Sequence, residues 1–157
     1  MVAHALCVIG NELFGGKYDA DRVAVRALYH ETSEVITGDL ATPIKYFNPE
    51  INAAYKEIER LAERRMLDML PDELKGAFEP LIIQEKLSPE TAIIKSADKI
   101  CAYIKCAEEL KAGNAEFEKA AAKIKAELEK ICENSPETRY FIDKFLPSFE
   151  LTLDELN

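Results

Sequence analysis

Apolar residues recur along this chain at the three- and four-residue intervals of helices, not at the alternate positions of strands. After Pro49 the stripe runs Ile51, Tyr55, Ile58, Leu61 with Ala62, Met66, and Met69 with Leu70. After Pro89 it runs Ile93 with Ile94, Ala97, Cys101 and Ile104. From Glu116 to Cys132, Glu and Lys alternate with Ala, Ile and Leu, which predicts a surface helix braced by charge pairs four residues apart. Ala3, Cys7, Val8 and Gly10 share a helical face from the first turn, although no capping residue precedes them, so the chain reads as though it begins inside a helix. The expectation is an all-α bundle in a single domain, residues 1–157.

One helix-start signal occurs three times, in Asn48-Pro49-Glu50, Ser88-Pro89-Glu90 and Ser135-Pro136-Glu137. Each sets a capping oxygen before a proline that needs no N–H in the first turn, followed by an acid that meets the positive end of the helix. Asp19 offers a fourth cap, for a helix expected to run from Asp21 to about Val35. The long irregular connection is Ile36 to Phe47, which contains the turn-rich run Thr37-Gly38-Asp39-Leu40-Ala41-Thr42-Pro43.

Composition narrows the choice of partner. The 157 residues carry a formal net charge of −9, with no Trp. Duplex binding draws its affinity from neutralising phosphates with Lys and Arg, so nucleic acid is not expected as the main partner. A small phosphorylated substrate stays open, because a bound cation can supply positive charge locally. No apolar run approaches the roughly 18 residues of a membrane span, and the apolar start lacks the basic flank of a signal peptide. Cys7, Cys101, Cys106 and Cys132 form no Cys-x-x-Cys pair and read as reduced, mostly buried thiols of a cytoplasmic protein.

Candidate chemistry lies on two of the expected helices. Val23, Ala27, His30 and Glu34 follow 4, 3, 4 spacing and would share one face, with Glu31 about 100° around from His30. Ile94, Asp98 and Cys101 would share the inner face of the helix after Pro89, where a carboxylate needs a cation, a donor cluster or a metal. Singly, each has an ordinary reading: His30 as a hydrogen-bonded core histidine, Asp98 in a buried salt bridge, Glu34 as a solvated helix-end acid, and His4 as a packing residue. Together, an imidazole, two neighbouring acids and an acid from a second helix form a set suited to a divalent metal.

The segment from Tyr29 to Asn48, with its Thr-Gly-Asp-Leu-x-Thr-Pro word, resembles the YfbR-type HD-domain 5′-deoxynucleotidases. So do the runs Lys95 to Cys106 and Phe145 to Glu155, and the likeness covers essentially the whole chain. The resemblance implies an HD-domain-like helical bundle, commonly a homodimer, that removes phosphate from deoxyribonucleoside 5′-monophosphates with a divalent ion of the Co²⁺, Mn²⁺ or Mg²⁺ class. It implies metal ligation by His30, Glu31 and Asp98, catalysis by Glu34, and sugar contact by Asp39, Leu40, Ala41 and Thr42, with Ala41 where a Pro is commoner. Glu31 stands where the family has Asp. The family's first His ligand and an Arg-Trp pair that holds substrate fall upstream of Met1, so the resemblance implies a chain lacking the family's N-terminal segment, with weakened metal binding and slow or absent turnover. The alternatives are a degenerate HD domain kept as a dimeric interaction module, and an HD phosphohydrolase acting on a cyclic or signalling nucleotide. The Thr37–Pro43 loop speaks against the last.

Overall fold

A computed structural model describes residues 1–39, 48–84, 87–151 and 155. All regular structure among them is helical. The helices are α1 (Val2–Phe14), α2 (Ala20–Tyr29), α3 (Glu34–Thr37), α4 (Pro49–Asp68), α5 (Asp72–Ile82), α6 (Pro89–Lys111), α7 (Glu118–Cys132) and α8 (Pro136–Phe145), with 3₁₀ turns at Ala115–Phe117 and Leu146–Glu150.

The four expected caps are all made. Asn48 accepts the Ile51 N–H at 2.7 Å, Ser88 that of Thr91 at 3.1 Å and Ser135 that of Thr138 at 3.4 Å, each with its proline in the first turn. The Asp19 carboxylate accepts the Arg22 N–H at 3.0 Å and opens α2. Each cap satisfies a backbone donor that would otherwise lack a helical partner, a gain of about 1 kcal/mol. Helix α5 has no counterpart in the expectations. Its signal is Pro71 followed by Asp72 and Glu73 in the first turn, and the interior Pro80 disguises it.

The chain divides into two compact units, Met1–Ala24 with Ser88–Asn157, and Val25–Leu87. In the first, α1 lies against α6 and α8, and α7 lies against α6 and α8. Leu6 and Cys7 of α1 meet a core of Ile93, Ile94, Ala97 and Ile100 from α6, Leu128 from α7 and Phe141 from α8. Each buried Leu or Ile contributes about 1.5–3 kcal/mol. Burial first, then the carboxylates of Glu90, Glu137 and Asp19, push the Cys7 thiol up to about 11, so it behaves as a small core hydrophobe. The turn after α1 is tied down by Asn11, whose side chain accepts from Tyr18 N–H at 2.8 Å and donates to the Tyr18 carbonyl at 2.9 Å. The Tyr18 ring lies on Gly10 so closely that a Cβ there would sit 2.9 Å from it.

In the second unit, α4 and α5 form a hairpin and α3 rests on α4. Tyr55, Ala62 and Ile82 are buried there. Of the stripe after Pro49, Tyr55 and Ala62 face inward, whereas Ile58, Leu61 and Met69 are 50%, 58% and 63% exposed. The stripe follows the helical period, with one edge buried and the other meeting solvent.

The helix expected from Asp21 to Val35 is also corrected. It ends at Tyr29, and residues 30–33 form turns with three-residue backbone bonds before α3 begins. The Thr32 hydroxyl donates to the Tyr29 carbonyl, which also accepts the Thr32 N–H at 3.1 Å. A short hydroxyl side chain here competes for the acceptor that the next helical turn would need.

Candidate active site

The turn that breaks the helix carries the first candidate group. His30 follows α2 directly, and its Nδ1–H donates to the Ala27 carbonyl at 2.8 Å. That bond fixes the ring and places the proton on Nδ1, so that Nε2 faces outward, where the Glu31 carboxylate lies 3.5 Å away. A histidine whose second nitrogen is engaged by a backbone carbonyl is the arrangement found behind metal-ligating imidazoles. The end of α2 is held by its neighbours: Tyr29 meets Phe78 of α5 edge-on at 6.3 Å, and the Gln84 amide donates to the carbonyls of Arg26 and Leu81, both at 2.8 Å.

Glu34 opens α3 half-buried, its N–H donating to the Glu31 carbonyl at 2.9 Å. Helix α3 closes at Gly38, whose N–H returns to the Glu34 carbonyl at 2.9 Å. Asp39 follows, exposed. His30, Glu31, Glu34 and Asp39 thus stand on one short stretch of the second unit, although His30 and Glu34 do not share one face of one helix as their spacing suggested. Leu40, Ala41 and Thr42 lie outside the described residues.

Asp98 stands on α6, in the first unit. It is exposed, against the expectation of a buried stripe. The buried stripe is Ile93, Ala97 and Ile100, which turns both Asp98 and Cys101 away from the core. Among the described residues no salt bridge or hydrogen bond engages the Asp98 carboxylate, so the buried ion-pair reading falls. His30 too is exposed rather than a core histidine. His4 is half-buried and 3.8 Å from Asp21. One imidazole nitrogen and carboxylate oxygens, all solvent-accessible, suit a divalent cation in donor type.

The helical architecture is that of an HD-domain phosphohydrolase. An HD-domain phosphohydrolase from Listeria innocua superposes with a TM-score of 0.82 over 94% of this chain and 71% of its own, at 22% identity, a likeness of fold. The chain belongs to the family described as 5′-deoxynucleotidase YfbR-like, whose model matches residues 1–149. A 5′-deoxynucleotidase of Vibrio cholerae is 56% identical over 157 residues, covering 99% of this chain and 80% of the relative. The 5′-deoxynucleotidase YfbR of Escherichia coli is 50% identical over 158 residues, covering 100% of this chain and 78% of the relative. Among the described residues no helix is long and apolar enough to cross a membrane.

Proposed function

We propose that this chain hydrolyses deoxyribonucleoside 5′-monophosphates to the deoxynucleoside and inorganic phosphate, with one divalent cation held by His30, Glu31 and Asp98. The observation that carries the reading is the His30 imidazole, pinned through Nδ1 with Nε2 turned toward a carboxylate, in a chain half identical to proteins named for this activity. Residues 1–157 then act as one catalytic domain. A bound ion of the Co²⁺, Mn²⁺ or Mg²⁺ class supplies the charge that polarises the phosphate and lowers the pKa of a water. Glu34 takes the proton from the attacking water and returns one to the leaving 5′-oxygen as the P–O bond breaks. Asp39 accepts a hydrogen bond from the sugar 3′-hydroxyl. Leu40, Ala41 and Thr42 complete the sugar contact.

Glu31 supports a second reading, a degenerate domain retained as an interaction module, because it adds a methylene where the family has Asp. Phosphate release from each deoxynucleoside monophosphate with Mn²⁺ or Co²⁺ separates the two. Metal-dependent release is expected, absent with chelator and faster in Glu31→Asp. A chain that binds metal but releases no phosphate from any substrate, with Glu31→Asp equally silent, is the module.

A homodimer accounts for the exposed Ile58 and Leu61 on α4 and Met69 just past its end, flanked by Arg64, Arg65 and Asp68. Sedimentation velocity is expected to show a dimer that Leu61→Glu dissociates; a monomeric parent chain refutes it. No nucleic acid or membrane partner is invoked, and the cytoplasm suits four free thiols.

A further inference from the structure

We propose that the Tyr55 hydroxyl is a positioning group for sugar recognition, acting by holding the Gly38 carbonyl from which Asp39 departs. The inference rests on the reading of Asp39 as the acceptor of the sugar 3′-hydroxyl, and adds a residue of α4 to that contact.

Three bonds meet on Gly38. Its N–H donates to the Glu34 carbonyl at 2.9 Å. Its own carbonyl accepts the Thr37 hydroxyl at 2.9 Å and the Tyr55 hydroxyl at 3.2 Å. Gly38 has φ 69° and ψ 166°, a left-handed conformation that glycine adopts without strain. A Cβ there would touch nothing within 4 Å, so backbone conformation, not space, makes the glycine necessary.

The peptide plane converts this into direction. The Gly38 oxygen shares one rigid plane with the nitrogen and Cα of Asp39. Fixing the oxygen therefore fixes where the Asp39 backbone starts. Thr37 is adjacent and moves with the turn. Tyr55 is 17 residues away on a different helix and only 8% exposed, so its ring cannot follow a shift of the loop. It refers the stem of the sugar loop to the body of α4.

The test is Tyr55→Phe in the metal-loaded chain, compared on a deoxynucleoside 5′-monophosphate and on phenyl phosphate, which has no sugar. Expected is a fivefold to tenfold rise in KM for the nucleotide, about the worth of one hydrogen bond, with kcat kept within about twofold. Calorimetric Kd in a Glu34→Gln background should rise equally for the nucleotide. Both values for phenyl phosphate stay as in the parent. Equal losses on both substrates, or no change on either, overturn the proposal. Gly38→Ala, strained at this φ, should shift the nucleotide values in the same direction and serves where Tyr55→Phe folds poorly. Asp39→Asn separates the two levels. If it leaves nucleotide affinity unchanged, the sugar-acceptor reading itself fails. If it weakens affinity while Tyr55→Phe does not, only the positioning role fails.

Discussion

The Glu34→Gln variant is expected to release phosphate about 10²- to 10⁴-fold more slowly than the parent, the range a positioned proton-transfer group contributes. The substitution keeps the size of the side chain and its place in the first turn of α3, and it removes the capacity to take up a proton. The backbone bonds that define this turn, Glu34 N–H to Glu31 and Gly38 N–H to Glu34, do not involve the carboxylate and survive the change. Calorimetric metal affinity should stay near that of the parent. This combination distinguishes proton transfer from ligation, because a ligand's loss would lower metal affinity along with rate. Phosphate release by Glu34→Gln at the parent rate would remove Glu34 from the mechanism. Loss of rate together with loss of metal would move it into the ligand set.

The placement of Glu34 follows a route that periodicity did not show. The spacing of Val23, Ala27, His30 and Glu34 implied one continuous helix, and helical spacing alone would set His30 and Glu34 one turn apart. The chain instead breaks at the Thr32 hydroxyl and restarts at Glu34, so the two residues stand on different elements. Periodicity reports apolar faces, whereas a helix end is decided by local competition for backbone acceptors. The starts were legible for the same reason: Asp19, Asn48, Ser88 and Ser135 each act within three residues of their own position. What was not legible depends on distant packing. Asp98 and Cys101 fit a helical face with Ile94 as well as Ala97 and Ile100 fit one with Ile93, and only the neighbours in space turn Asp98 and Cys101 outward. Pro80 argued against α5 although the acids after Pro71 favoured it. The bond from Tyr55 to Gly38 joins residues whose separation carries no periodic sign, so no sequence pattern announces it. His30, Glu31 and Asp98 could be named as candidates, by contrast, because donor chemistry is a property of residue type and the family resemblance points to the same three positions.

His30→Ala is expected to weaken divalent metal binding by at least about 100-fold. Disturbing only the groups that orient a ligating imidazole already costs 10- to 100-fold, and this substitution removes the nitrogen donor itself. The orienting bond from Nδ1 to the Ala27 carbonyl is internal to the last turn of α2, so its loss leaves Arg26, Tyr29 and Gln84 in place to hold that helix end. His30 is exposed, and its replacement opens no core cavity. The metal-free variant should therefore melt within a few degrees of the metal-free parent. Metal present at 100 times its dissociation constant stabilises the parent by about 2.7 kcal/mol, and that increment should vanish in His30→Ala. Asp98→Asn supplies the decisive comparison, since it removes one charge on α6 without touching the turn at His30. A single shared cation requires that Asp98→Asn also lose metal affinity and the metal-induced rise in melting temperature. If His30→Ala loses both while Asp98→Asn keeps both, the ion is held by the second unit alone, and Asp98 acts elsewhere than on the metal.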